Sequence, residues 1–509
     1  MLLGIDIGTS SAKSVILDED NGAVVAVGQQ AYDFDAPQPG WAEQAPEMWW
    51  NAAKETIRAA LQASRIAPDA IRGLSFSGQM HGPVFLDRDG GSLRPAIIWA
   101  DQRSAPEARH IYDIMGVDGL CRAVGNPVDS GFMAATLLWL SRHEPALFRR
   151  IHTLLLPKDY VKFRLTGRRV TDPSDAGGTS LFDVRRLRWS EEMLERLELP
   201  LEILPEVRPS HEIIGTVTAQ AAAETGLRAG TPVVNGGNDQ TMGALACGAI
   251  RPGAVLLMIG TGGTLFTTTD AAAADPQLRL HVYPHCVPDK WHLLGAILAG
   301  GLPMKWFKNL MSAGAALSYE QMSAEAAAIA PGADGLIFLP YLAGERTPHM
   351  NRAAKGVFFG LSVEHGRAHL IRAIMEGVVF AMRDCLELFK ELGVRPARIL
   401  AGGGGARSRV WRQMQADILG LPVVTAQTPE MSATGAAMLA GIGAGAFASF
   451  DEACQRVVVL GEELPPLAAH VRQYEAYYAC YRSLYPALRP HFATLQALRG
   501  GESVSRPGA

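Results

Sequence analysis

Apolar residues come first in short runs and then at helical spacing. Leu2 to Asp6, Ser14 to Leu17 and Ala23 to Gln29 read as three strands, the first followed by a tight Gly8-Thr9-Ser10-Ser11 turn. Beyond Pro37 and Pro39, Pro46 opens a helix in which Trp50, Ala53, Ile57 and Leu61 recur every three or four residues. A further strand, Ile71 to Phe76, runs into SGQMHG. Strands alternating with helices predict an α/β protein. The segment IDIGTSSAK around Gly8 resembles MIGTGGTLF around Gly260, about half the chain away. Each is a strand, a Gly-Thr turn with two small residues, and another apolar stretch, so the chain is expected to hold two related halves. Turn residues at Gly248 to Pro252 put the boundary there. The expected units are 1–247, 248–460 and a closing helical tail, 461–509, packed through Tyr474, Tyr477, Tyr478 and Tyr481.

Met431 to Phe450 carries no charge, but fourteen of its twenty residues are Ala, Gly, Ser or Thr, which gain little in hydrocarbon. It is expected as a buried small-residue helix, not a membrane span. The whole chain has 509 residues, 48% of them hydrophobic and 19% charged, with a formal net charge of −4. That balance excludes a disordered chain and disfavours a nucleic-acid surface. Six scattered cysteines form no C-x-x-C pair and read as reduced thiols. The N-terminus has no basic segment and carries Asp6, so a secretory signal is not expected and the protein is expected in the cytoplasm.

No Walker A loop, H-E-x-x-H or G-x-S-x-G is present. Three Gly-rich loops each follow a predicted strand: Gly8 to Ser11, Gly260 to Gly263, and Gly402 to Gly405. One such loop alone reads most simply as a tight turn. Three together favour a nucleotide, because glycine lets backbone N–H groups converge on phosphate oxygens. Two acids stand beside such loops. Asp6 ends the first strand, where a carboxylate orients Mg²⁺. Asp239, in PVVNGGNDQ, follows an apolar strand and a Gly-Gly turn, at the strand end where open α/β sheets place ligands. There it is poised either to cap a turn or to take a proton from a substrate hydroxyl.

GQMHG (78–82), PKDYVKFRLTG (157–167), TDPSDAGGTSLFD (171–183), GGNDQ (236–240), FLPYLAGERTPH (338–349) and GGGGARSRVWRQMQADILG (402–420), with both loop segments and Gly356 to Gly377, occur in the order found in FGGY carbohydrate kinases. The chain resembles that family from residue 2 to about 445, most of all its bacterial members acting on D-xylulose. The resemblance implies two actin-like, ribonuclease-H-like domains with ATP and sugar meeting in the cleft, and suggests a homodimer. It implies Asp239 as catalytic base and Asp6 as the acid near Mg²⁺ and the γ-phosphate. Thr9, Ser10 and Lys13 match its first phosphate loop, Gly260, Thr261 and Gly262 its second, and Gly404, Gly405 and Ser408 the segment bordering adenine. Met80 and His81 match its xylulose-binding pair.

Two features depart from the family pattern. Met133 and Thr136 stand in the first signature, where a Pro, Ser or Thr and then a Lys are usual, and Asn238 and Gln240 flank the base. Gln240 is a polar neighbour able to touch substrate. Trp99 and Asp101, at another strand end, are further expected to line the sugar pocket. The activity implied is ATP- and Mg²⁺-dependent phosphorylation of the 5-hydroxyl of D-xylulose. Its rivals are other acceptors (ribulose, erythritol, a deoxyketose) and an actin-like nucleotide-dependent binding module. No nucleic-acid or membrane partner is expected.

Overall fold

The computed structural model describes residues 1–311 and 317–499. Its two compact units are not contiguous in sequence. The first comprises Met1–Arg251, Thr268–His292 and Gln427–Val459; the second comprises Pro252–Thr267, Leu293–Ala426 and the chain from Leu460 onward.

The first unit is built on β1 (Leu2–Ile7), β2 (Ser11–Leu17), β3 (Val24–Ala31), β4 (Gly73–Gly78), β5 (Ile213–Thr216) and β6 (Pro232–Val234), in the sheet order β3-β2-β1-β4-β6-β5. β1 runs antiparallel to β2 and parallel to β4, which in turn runs parallel to β6. Leu2, Leu3, Ile5 and Ile7 are all fully buried, so β1 is covered on both faces and reads as an apolar run interrupted only by Gly4 and Asp6. The register names the two covers. Gly4 faces the helix Met431–Gly443, and a Cβ on it would fall 1.9 Å from the Ala433 carbonyl oxygen. Gly28 shares a row with Ser14 and Ile5 on the opposite face, where its Cβ would meet the Thr56 carbonyl at 2.1 Å. Thr56 belongs to the helix Pro46–Ser64, which buries Trp50, Ala53, Ile57 and Leu61 as its spacing predicts, and Trp49 as well.

The small-residue helix is therefore small for a packing reason. It lies directly on a strand, and its Gly435 touches the Met242 carbonyl of a neighbouring helix, Asp239–Ala246. It ends at Gly443, short of the expected Phe450, because Gly445 turns the chain with φ +70° and Ser449 caps a new helix, Phe450–Val457. No helix among the described residues is long and apolar enough to cross a membrane. All six cysteines are free thiols.

The second unit repeats the plan with β7 (Ala254–Ile259), β8 (Gly263–Thr269), β9 (Trp291–Ile297), β10 (Arg398–Gly403), β11 (Val423–Ala426) and β12 (Leu460–Leu464), ordered β9-β8-β7-β10-β11-β12. Again the central strand pairs antiparallel with its successor, β8, and parallel with a later strand, β10. The likeness between the Gly8 and Gly260 segments is thus a repeat of topology, and both units are actin-like, ribonuclease-H-like α/β folds, as the family resemblance implies. The tail forms the helix Ala468–Arg499, whose buried Tyr474 and Tyr478 donate to Glu376 and Asp384 on the helix Arg367–Glu391.

Candidate active site

In the first unit, β1 delivers Asp6 opposite Ser77 of β4 on one side and Lys13 of β2 on the other. The walls of this recess raise the Asp6 carboxyl above its usual range. Burial is the main cause, offset by the Ser77 hydroxyl and the Lys13 charge, while Glu430 adds to the rise. Lys13 itself is tied to Glu430, Nζ to Oε2 at 2.5 Å. One oxygen of Asp6, Oδ1, is buried without a hydrogen-bond partner. The turn that follows is closed by the Gly8 N–H donating to the Ser11 carbonyl at 3.0 Å. Thr9 places its hydroxyl toward Trp99 and Gln79, accepting from the indole N–H at 2.9 Å and donating to Gln79 at 3.2 Å. Ser10 is exposed on the turn.

Asp239 opens the helix Asp239–Ala246, whose N-cap is Asn238. Its carboxyl is pushed up to about 7, first by burial and then by the charge of Asp6; hydrogen bonds involving Gln240 pull the other way. The Gln240 side chain donates to Asp239 at 3.3 Å. Both Asp6 and Asp239 keep a partly exposed edge, so the desolvation comes from the surrounding walls and still leaves them open to a small molecule. The structure therefore brings together the two acids that sequence places more than two hundred residues apart.

His81 follows β4 with φ +78°, a conformation L side chains seldom adopt. Its Nδ1 lies 2.6 Å from the Gly178 carbonyl oxygen. A carbonyl can only accept, so Nδ1 carries a proton and donates it to Gly178. Phe132 stacks on the imidazole at 3.8 Å between centroids and fixes its plane. A Cβ on Gly178 would stand 2.8 Å from Met80 Cε and 3.3 Å from His81 Nδ1, so the bare glycine leaves room for both side chains. Met80 is buried beside it.

Trp99 and Asp101, in the turn after the two-residue strand Ala96–Ile97, separate. Trp99 is 40% exposed, with its indole held by Thr9. Asp101 is wholly buried, and its carboxylate is consumed by the Ala42 and Arg103 N–H groups and by the Arg103 guanidinium at 2.6–3.0 Å. It has no lone pair directed at a sugar; its task is to hold the loop around Ala42. The expectation that Asp101 lines the pocket is corrected on that ground.

The second unit holds a separate recess of about 620 Å³. The loops after β7 and β10 form its polar side through Gly260, Thr261, Gly404, Gly405 and Ser408. Ser408 caps the helix Arg409–Leu419 and accepts from Ser323 at 2.9 Å. Gly403 takes φ +71° against the Ile259 carbonyl, which brings the two loops together. Gly262 stands apart from the recess, packed against Ile297. The apolar wall comes from Ile259, Leu302, Met375 and Trp411; Ile259 and Trp411 adjoin the predicted loop residues Gly260 and Ser408, whereas Leu302 and Met375 come from elements distant in the chain. A cavity of this size with apolar walls and one polar edge has the dimensions of a nucleotide site.

Comparison with known proteins agrees with this layout. Residues 1–246 match the N-terminal domain of the FGGY family of carbohydrate kinases, and residues 255–444 match its C-terminal domain. A xylulose kinase of Bacillus subtilis (strain 168) is 36% identical over 98% of this chain and 99% of its own length. The crystal structure of a xylulose kinase from Rhodospirillum rubrum superposes with a TM-score of 0.90 at 35% identity, covering 97% of this chain and 99% of its own. That of a gluconate kinase from Lactobacillus acidophilus gives 0.91 at 28% identity, over 97% and 99%. With both domains matched in order and relatives aligned end to end, the chain belongs to the FGGY family of carbohydrate kinases.

Proposed function

We propose that this kinase transfers the γ-phosphoryl group of ATP to the 5-hydroxyl of D-xylulose, giving D-xylulose 5-phosphate and ADP. The observation that carries the choice of sugar is the end-to-end identity of 36% with a xylulose kinase. The Met80–His81 pair supports it. In this reading the first unit supplies the sugar contacts and the base, and the second binds the nucleotide and is closed by the tail helix Ala468–Arg499. Asp239 accepts the proton of the 5-hydroxyl as its oxygen forms a bond to the γ-phosphorus and the bond to the ADP oxygen breaks. A carboxyl raised to about 7 suits this task, since a general base works best with a pKa near the working pH. His81 holds a sugar hydroxyl through Nε2, and Gln240 stands ready to hold another.

Asp6 is the residue that would hold Mg²⁺, because its inner oxygen is buried and without a hydrogen-bond partner. Among the described residues no three acids, histidines or cysteines gather into a complete metal cage. That fits an ion held by one or two carboxylates, water and substrate phosphates. Bound there, it would neutralise phosphate charge during transfer.

The deciding experiment is an ADP-release assay across ketoses, polyols and gluconate, with the highest kcat/KM expected for D-xylulose. Gluconate deserves a place in that panel because the gluconate kinase shares the fold as closely as the xylulose kinase does, so shape does not select the sugar. A clear preference for another acceptor sinks the xylulose assignment. For His81→Ala, loss of one oriented hydrogen bond should raise the sugar KM roughly three- to thirtyfold and leave the ATP KM nearly unchanged. An unaltered sugar KM in the folded variant would reduce His81 to a packing residue.

A further inference from the structure

Two motifs, PKDYVKFRLTG (157–167) and TDPSDAGGTSLFD (171–183), have entered the account so far only through the Gly178 carbonyl that holds His81. They form the helices Pro157–Thr166 and Pro173–Gly177, and at their junction Lys158, Lys162, Asp159, Asp172 and Asp175 are all wholly buried. Lys158 Nζ lies 2.7 Å from Asp159 and 2.9 Å from both Asp172 and Asp175. Five dry ionisable groups are costly and contribute little net stability, so what they provide is fixed geometry.

That geometry leads to the base. Asp172 Oδ2 accepts from the Ser174 N–H at 2.9 Å, the Ser174 hydroxyl at 2.5 Å and the Ser210 hydroxyl at 3.0 Å. With its proton committed to Asp172, the Ser174 hydroxyl accepts from the Asn238 N–H at 3.0 Å. The Asn238 amide donates back to the Ser174 carbonyl at 2.9 Å, while its Oδ1 caps the helix that begins with Asp239. Lys162 grips the other end of the same loop through the carbonyl and side chain of Asn235. Between the two grips lie only Gly236 and Gly237, which have no side chain with which to fix their own path. The short helix also ends at Gly178, whose carbonyl holds His81.

We propose that Ser174 is a positioning residue for phosphoryl transfer, passing the fixed geometry of the Lys158–Asp172 pair to the backbone that aims Asp239. The inference rests on Asp239 being the general base. It is tested by a double-mutant cycle on the full-length enzyme with D-xylulose and ATP: wild type, Ser174→Ala, Asp239→Asn and the double variant. Ser174→Ala should lower kcat about 10- to 100-fold, the scale of a misplaced catalytic group, with the ATP KM nearly unchanged. In the Asp239→Asn background the same change should cost less than about twofold, because no base remains to be aimed. An equal loss in both backgrounds, or an undiminished kcat in Ser174→Ala, overturns the proposal and leaves the base assignment standing. A wild-type kcat in Asp239→Asn overturns the base assignment, and the proposal with it. If Ser174→Ala does not fold, Asn238→Ser, which keeps a capping oxygen but drops the amide donor to Ser174, enters the same cycle with the same outcomes.

Discussion

Replacing Asp239 by Asn should lower kcat for D-xylulose by two or more orders of magnitude, while sugar and ATP still bind. The amide keeps the size of the carboxylate and can still contact the hydroxyl, but it cannot take the proton, and a positioned base contributes about 10²–10⁴-fold. In the wild type, kcat/KM should fall on the acid side with a pKa near 7, since burial and the neighbouring Asp6 raise this carboxyl to about that value. The same environment predicts an effect of opposite sign on stability. A carboxyl whose pKa is raised in the folded state favours folding when protonated. Below about pH 4 both folded and unfolded chains are protonated there and nothing is lost; as pH climbs toward 7, the unfolded chain ionises and the folded one resists. The charged site therefore weakens the first unit above pH 7, and Asp239→Asn should raise its Tm at pH 8 but not at pH 4. Activity retained above about a tenth of wild type would send the search for the base elsewhere. An unchanged Tm difference across that pH range would show that the site is better solvated than its geometry suggests. Asp6→Asn should differ in kind, with a defect that depends on Mg²⁺ concentration.

Much of this was legible in the chain because each element carries a local physical signal. The buried strands β1 and β7 read as apolar runs ending in Gly-Thr turns, and the helix at Pro46 declares its buried face through spacing. Asp239 stood out by its place after a strand and a Gly-Gly turn. Other features have no local signal. The small-residue helix was legible as buried, but nothing nearby says that Gln427–Val459 returns to the first unit, since a returning segment is defined only by what it packs against. Asp101 reads as a pocket residue from its strand end, yet Arg103, two residues on, takes both of its oxygens. Lys158, Lys162 and Asp159 look in sequence like one turn of a solvated helix. Their burial depends on Asp172 and Asp175 arriving from the next motif, an event no periodicity encodes.

That buried cluster yields the largest stability effect expected for a residue that touches no substrate. Lys158→Met keeps most of the length of the side chain and deletes its charge, leaving Asp159, Asp172 and Asp175 with Lys162 as the remaining lysine of the cluster. Lys162 is a poor substitute: it reaches Asp159 at 2.8 Å, and burial, helped by repulsion from Lys158, already pushes its own pKa down to about 8. Removing one partner from a buried ion group costs about 3–5 kcal/mol, because the orphaned charges stay dry. Lys158→Met should therefore unfold at markedly lower denaturant concentration than wild type. Its deficit should shrink on acidification, since carboxylates without their cation take up protons and cease to repel. The cluster already holds one more acid than base, and burial together with Asp172 and Asp159 drives the Asp175 carboxyl well above its ordinary range, against the pull of Lys158. Asp175→Asn should accordingly be mild in the wild type and should restore part of the stability lost in Lys158→Met. Were Lys158→Met as stable as wild type at pH 8, the five groups would have to be wetter than their complete burial indicates, and the rigid anchor assigned to Ser174 would lose its foundation.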